Sequence, residues 1–399
     1  MKKSRFRSIL KYFLVLLVAI LILLNLFVLL TGRTYLYKGI QETYLKGKKG
    51  PDIYDSIIFP TRTAKHDLHP EAWKINPKLI PLDAQAISFM EGLQTTSFLV
   101  IKNQEIISET YFEKHTIHTK SNSFSAGKSL IGLLIGIAID EGKISSFDAL
   151  IKDYLPFRMP NDEGVTIRDV LAMSSDLVWE ESGKNPLSDN AEAYYSSDLI
   201  KVMKSKGFAK EKTHDFNYKS GNTELLGLIL KEATGKYPTE YLEEKVWSKI
   251  GTENDLLWSL DQENGMEKAF CCAYATTRDF AKFGQLILNY GKWNGKTIID
   301  STTLTELITP ISEASPFYGL QFWIYHDPQH PAIYARGILG QYIVAIPSLN
   351  VVMVRTGHKR QEDQIPVTYN PKIDYKSNHP GDIPEYYTIL MRILEQTDE

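Results

Sequence analysis

The sequence predicts an α/β fold of the α+β kind: one antiparallel sheet flanked by helices, an inserted helical lobe, and a single N-terminal transmembrane helix. Three observations carry this. Apolar strand pairs sit near both ends of the folded part, at 97–112 and 342–355. The chain between them is mostly helical in spacing, and an unbroken apolar run stands at the N-terminus. Strands from both ends around a helical middle suggest one sheet with a lobe inserted, roughly 150–265.

The elements follow in order. Tyr12 to Thr31 is a run of about 20 residues with only Asn25 strongly polar, enough to cross a core of about 30 Å. It ends in Leu29-Leu30-Thr31-Gly32-Arg33, which lacks the small-x-small site of a cleaved signal. An uncleaved anchor over 1–32 is therefore expected. Basic residues flank the run on both sides, with Arg7 and Lys11 closest, so the N-terminus is placed inside and the body on the periplasmic or extracellular side. Residues 33–81 carry scattered prolines and no sustained period, and read as a stalk.

The remaining chain, 82–399, reads as one domain. Its length suits one large domain or two closely packed lobes. A helix is expected at Leu82–Leu93, then two strands around a turn at Asn103-Gln104. Helical spacing recurs at 165–173, 222–235 and 276–291, with Thr276 or Thr277 as N-cap of the last and Gly235 and Gly291 as stops. Two apolar runs joined by Pro347–Asn350 give the second strand pair, and 383–396 suggests a closing helix.

Composition excludes little but is useful. A net charge of −3, with no basic stripe interleaved with aromatics, argues against nucleic-acid binding. The two cysteines, Cys271 and Cys272, are neighbours, and read as small buried residues without a bridge or zinc-ligand spacing. His66 and His69, like His115 and His118, have no obvious third ligand, so neither a metal nor another cofactor is expected.

The chemistry centres on SNSFSAGKSLIGLLIGIAID, 121–140. After Lys128 this segment is apolar almost all round, so the helix should be buried. A charged residue is seldom buried without a partner or a task. Residues three apart share a helix face, so Lys128 can reach the hydroxyl of Ser125. A serine hydroxyl is a poor nucleophile until a base takes its proton. An ammonium among apolar side chains is pushed toward the neutral amine, which can accept that proton. Free N–H groups at the helix start can hold an oxyanion.

Serine three before lysine arises by chance roughly once or twice in a chain this long. Ser8 and Lys11, at the membrane border, are such a pair. A serine N-cap beside a snorkelling lysine is the bland alternative. A phosphate loop is excluded because Asn122 stands where its first glycine belongs. There is no G-x-S-x-G elbow.

With these residues the chain resembles the serine β-lactamase-like hydrolases of the class C type, which include DD-peptidases, family VIII carboxylesterases and 6-aminohexanoate-dimer hydrolase. The similarity covers roughly 82–395, and the Ser-x-x-Lys is Ser125-Ala126-Gly127-Lys128. In IRDVLAMSSDLVWEE (167–181) the resemblance implies a pocket aromatic at Trp179. The family's Tyr-x-Asn is matched by Tyr218-Lys219-Ser220, 93 residues after Ser125, and implies a proton shuttle at Tyr218. Ser220 departs from the pattern and bears on substrate amide recognition.

The third family element, Lys or His then Thr-Gly on a strand, is matched by Ala335-Arg336-Gly337 within ARGILGQYIVAIP, 335–347. The resemblance implies an oxyanion hole from the N–H groups of Ser125 and Ile338. Gly337 suits close approach of backbone to a ligand. Arg336 should turn to the opposite strand face from Ala335. The missing basic first residue points away from penicillins, toward small esters or amides. The expected activity is a membrane-anchored serine hydrolase using an acyl-enzyme on Ser125. A non-catalytic binding protein for cell-wall fragments is the rival, since fold alone does not establish chemistry.

Overall fold

The computed structural model describes residues 2–361 and 379–397; Met1, 362–378 and 398–399, where the expected anchor and hydrolase domain begin and end or continue, lie outside the described residues. A seven-stranded sheet organises the body. Its strand order is Trp323–Tyr325, Ala332–Gly337, Gln341–Ile346, Val351–Gly357, Thr95–Lys102, Glu105–Tyr111 and Lys74–Ile75. All neighbours pair antiparallel except the last, which is parallel. The two expected strand pairs thus meet at the sheet centre, where Val351–Gly357 pairs with Thr95–Lys102.

Each turn has its conformational cause. Asn103 and Gln104 take φ of 52° and 66°, the mirror-image turn that matches the twist of a two-residue hairpin. Asn350 takes φ 51° after the short turn Pro347–Leu349.

The sheet alternates as period two requires. Leu99 and Ile101 face one core with helices Gly127–Asp140 and Thr277–Leu288, while Phe98 and Val100 face another with Ala84–Gly92 and Ile383–Glu395. Helix limits fall close to expectation. Thr276 is the N-cap of Thr277–Leu288, and Gly235 closes Ser220–Thr234 at φ 69°. A second sheet, in the order Thr61–Ala64, Leu256–Ser259, Ala273–Thr276, Lys120–Asn122, lies beside the turn Phe124–Ala126 and has no counterpart in the sequence reading.

Three expectations are corrected. Residues 33–81 are folded onto the body: Thr61–Ala64 pairs with Leu256–Ser259, and Ile53, Phe59 and Trp73 are buried. Their scattered prolines mask short strands and turns too brief to show a period. The stretch 335–347 is a hairpin, because Leu339 and Gly340 at φ 62° and 83° reverse the chain between Ala332–Gly337 and Gln341–Ile346. Cys271 and Cys272 are buried as expected but are joined in a vicinal disulfide, in a turn where Cys272 takes φ 69°.

The N-terminal helix, Lys2–Leu30, holds a segment Phe6–Leu30 long and apolar enough to cross a membrane. It contains both Ser8 and Lys11, which are exposed.

Lys268 is fully buried, its Nζ 4.4 Å from the centroid of the Phe59 ring, with no hydrogen-bond partner among the described residues. Burial and the nearby charge of Lys38 push its ammonium down to about 7 from 10.5. The folded state therefore binds this proton more weakly than the unfolded chain. The penalty is full below pH 7, declines as pH rises from 7 toward 10.5, and is gone above. Lys268→Met should stabilise the protein at pH 6 by about 2–4 kcal/mol, with the advantage shrinking steadily toward pH 10. Urea unfolding of both proteins in the same detergent across that range checks it; a pH-independent difference would contradict it.

Candidate active site

Ser125 sits in a single 3₁₀ turn, Phe124–Ala126, that runs directly into the helix Gly127–Asp140. Of residues 121–138 it alone keeps part of its surface open. The turn is held tightly. Phe124 takes φ 44°, a strained conformation for a bulky residue that persists only when its surroundings enforce it. Here the Phe124 N–H donates to Asn122 Oδ1 at 2.8 Å, and the Ser123 N–H to the Ala273 carbonyl at 2.7 Å.

Lys128 is 1% exposed. Its Nζ donates to the Phe270 carbonyl at 2.6 Å, to Ser220 Oγ at 3.0 Å and to Ser125 Oγ at 3.0 Å. Two of these acceptors lie away from Ser125. A neutral amine can give them its two hydrogens and turn its lone pair to the Ser125 hydroxyl. The centroid of the Tyr218 ring lies 5.3 Å from the same Nζ.

The partners come from distant parts of the chain. Ser220 opens the helix Ser220–Thr234 and is buried. Its hydroxyl donates to Glu181 Oε1 at 2.7 Å, so toward Lys128 the oxygen is left to accept. Glu181 Oε2 receives the Ser220 N–H at 2.7 Å and the Trp179 indole N–H at 3.0 Å. Ser220 thus faces Lys128, where amide recognition was expected of it. Trp179 is 6% exposed and packs where a side chain on Gly221 would stand, 2.5 Å from its Cε3. It serves as a strut for Glu181 and the helix start, with little surface left to line a pocket. The Phe270 carbonyl is fixed by its neighbours: Trp258 Nε1 donates to the carbonyls of Lys268 and Cys271, and the Ala269 N–H to Glu224 Oε2.

The strand Ala332–Gly337 closes the other side. A Cβ on Gly337 would lie 2.2 Å from the Ser123 carbonyl oxygen, so the close approach is to the turn that carries Ser125. That approach brings the backbone of Ile338, 40% exposed at its side chain, beside the turn of Ser125. Buried Arg355 clamps the turn after Gly337 by donating to the carbonyls of Leu339 and Gly340, at 2.8 and 2.7 Å.

Arg336 does lie opposite Ala335, but on the Tyr218 side of the strand. Its guanidinium stacks 3.5 Å over the Trp323 ring, whose centroid is 5.5 Å from that of Tyr218. Ala335 is buried against the core near Phe283. The twist of the hairpin decides which face meets Tyr218, and spacing alone could not.

One histidine of each pair is engaged elsewhere: His66 Nδ1 meets Asp255 at 2.6 Å, and His115 Nε2 meets the Tyr54 hydroxyl at 2.6 Å. The sequence reading missed Glu181, Phe270 and Arg355. Only the quoted acidic pair after Trp179 hinted at Glu181; the carbonyl of Phe270 carries no sequence signal at all.

The sequence matches the family described as Beta-lactamase over residues 82–373. It is 26% identical over 296 residues to the 6-aminohexanoate-dimer hydrolase of Paenarthrobacter ureafaciens, covering 67% of this chain and 73% of that protein. Among solved structures, a putative 6-aminohexanoate-dimer hydrolase from Bacillus anthracis superposes with a TM-score of 0.68 at 20% identity, over 86% of this chain and 92% of that one. A family VIII carboxylesterase superposes with a TM-score of 0.59 at 18% identity, over 77% and 95%.

The contact at Gly337 gives a direct expectation. Gly337→Ala must separate the strand end from the turn of Ser125, and should cost about 1–3 kcal/mol. Gly50→Ala, whose new Cβ would meet nothing within 4 Å, should stay within about 0.5 kcal/mol. Chemical denaturation of the two variants side by side measures both.

Proposed function

The chain belongs to the Beta-lactamase family, and on that footing we propose that it is a membrane-anchored serine hydrolase cleaving an ester or amide through an acyl-enzyme on Ser125. The observation that carries the reading is the buried Lys128 Nζ, 3.0 Å behind the one accessible residue of its segment. The hydrolase class is that of the family; the Ser-x-x-Lys chemistry, the substrate and the place in the cell are the proposal.

The residues divide the work as follows. The Ser125 hydroxyl gives its proton to the Lys128–Tyr218 pair as its oxygen bonds to the substrate carbonyl carbon. The N–H groups of Ser125 and Ile338 receive the oxyanion. The pair returns the proton to the departing alcohol or amine, leaving an ester on Ser125. Water, losing a proton to the same pair, then bonds to the ester carbon; the bond to Ser125 Oγ breaks, the pair passes the proton to that oxygen, and the acid leaves. Ser220 accepts from Lys128 Nζ and Glu181 holds Ser220 in place; neither bonds to Ser125, and together they fix the direction of the Lys128 hydrogens. No cofactor enters this scheme.

The substrate is proposed to be a small neutral ester or amide. Arg336 is the cation on the Tyr218 side, but its guanidinium is committed to the face of Trp323 and the hydroxyl of Tyr334. It offers a penicillin carboxylate little. The segment Tyr12–Thr31, which lies in the membrane-length helix up to Leu30, is proposed to anchor the body on the periplasmic or extracellular side. The disulfide Cys271–Cys272 supports that side, since such bridges persist in oxidising compartments.

Ser125→Ala should lose turnover of a short-chain nitrophenyl ester by several orders of magnitude, and the fluorophosphonate adduct seen by intact mass should vanish with it. A chromogenic cephalosporin should be turned over poorly by the unchanged protein. Ser125-independent ester turnover would refute the mechanism, and fast serine-dependent cephalosporin turnover would refute the substrate assignment.

Glu181→Gln tests the support of Lys128. The one oxygen of a glutamine can keep the Ser220 and Trp179 N–H bonds, but its NH2 then faces the Ser220 hydroxyl, which can no longer donate to it and must turn its own hydrogen elsewhere. Losing a charge-assisted bond of this kind should lower kcat about tenfold or more with KM little changed. A merely structural loss would instead show as a lower unfolding midpoint and a smaller active fraction, with kcat per active site unchanged.

A further inference from the structure

The helix Tyr35–Glu42 follows the membrane-length helix after only four residues, Thr31–Thr34. The junction is hydrogen-bonded throughout: Arg33 N–H to Val28 O at 3.0 Å, Leu36 N–H to Arg33 O at 3.0 Å, and Tyr37 N–H to Thr34 O at 3.1 Å. The Tyr37 hydroxyl donates to Asn25 Oδ1 at 2.9 Å, satisfying the one strongly polar side chain of the apolar run. Asn25 lies five residues before Leu30, about 7.5 Å along the axis, so this helix reaches back beside the last turns of the span.

Its other side is bolted to the hydrolase body. Tyr35 is buried, and its hydroxyl donates to the Pro186 carbonyl at 3.2 Å. Gly39 lies so close to Tyr195 that an added Cβ would be 3.3 Å from the ring. The remaining face is open and apolar: Tyr37, Ile40, Tyr44 and Leu45 are 43, 44, 60 and 77% exposed. Residues 31–50 hold five cations, Arg33, Lys38, Lys46, Lys48 and Lys49, against one acid, Glu42. Two of the five are paired with acids, Lys46 with Glu42 and Lys48 with Asp52, and Lys38 Nζ lies 4.3 Å from the centroid of the buried Phe59 ring, so Arg33 and Lys49 carry the basic excess.

We propose that Tyr35–Lys46 is a collar seated in the headgroup region of the bilayer, with anionic lipid as its partner, which holds the catalytic body at a fixed height. The proposal rests on reading Phe6–Leu30 as a membrane span. Tyrosines with exposed aliphatic neighbours and an excess of basic residues are the composition that favours this interface. Continuity with the span selects lipid as the occupant, because the exposed face starts where the span ends.

The full-length protein in nanodiscs of phosphatidylcholine and phosphatidylglycerol tests this, with Ile40→Cys or Leu45→Cys carrying a bimane label. The native cysteines are bridged and buried, so labelling is selective. Lipid bearing a nitroxide near its headgroup should quench these labels about twofold or more beyond a label at Ser301→Cys. A label at Leu17→Cys should be quenched by a nitroxide deep in the acyl chain. Quenching at Leu17 with Ile40 and Leu45 behaving like Ser301 overturns the collar and leaves the span intact. No quenching at Leu17 overturns the span, and the collar with it. Disulfide-linked dimers through Leu45→Cys without lipid quenching overturn it in favour of a second copy. Equal quenching in pure phosphatidylcholine overturns the part assigned to anionic lipid.

Discussion

The architecture around the site depends on one constraint: the amino group of Lys128 is shut away from water and must be given partners. A buried, unpaired polar group of this kind costs several kcal/mol. The helix that carries it cannot help, because Leu130, Ile131, Leu133 and Leu134 make it apolar on all sides. The acceptors therefore come from elsewhere, the Ser220 hydroxyl from the start of a second helix and the Phe270 carbonyl from a loop far along the chain. Satisfying this one amine fixes the positions of three segments that sequence separates widely. It also leaves Ser125 as the only acceptor of the three that a substrate could reach.

That arrangement is propped from behind by groups with no chemistry of their own. Trp179 holds Glu181, Glu181 holds Ser220, and Ser220 meets Lys128. Tight backbone contacts make the fit possible. Gly221 leaves room for the Trp179 ring, and Gly337 lets a strand end rest on the turn of Ser125. Side chains at either place would push apart the pieces that the lysine draws together. The strain at Phe124 belongs to the same scheme, since a single distorted residue presents the serine while its neighbours stay buried.

The joining of the membrane-length helix to the body follows a similar logic. A flexible stalk would leave the cleft free to range over tens of ångströms. Here residues 33–81 contribute a strand to each of two sheets and bury Ile53, Phe59 and Trp73. The short helix after the membrane-length helix rests on Pro186 and Tyr195, in the segment that follows Trp179 and Glu181. That helix and the segment beside Glu181 are thereby parts of one packed unit.

The sequence by itself determined what local chemistry and period can determine. Apolar runs around turn residues at 97–112 and 342–355 marked the central strands, because a strand covered on both faces is apolar along most of its length. The apolar helix after Ser125, the caps at Thr276 and Gly235 and the membrane-length run were legible for the same local reason. So was the pairing of Ser125 with Lys128, which one helical turn enforces. Only the tertiary structure decided what meets Lys128 from outside its helix, since a carbonyl such as that of Phe270 has no sequence signature. It decided that Arg336 stands on the Tyr218 side, because a reversal at Leu339 and Gly340 sets the hairpin's twist. It decided that 33–81 is body and not stalk, because short strands gain their stability from partners about 30 to 200 residues away, which no local period can reveal.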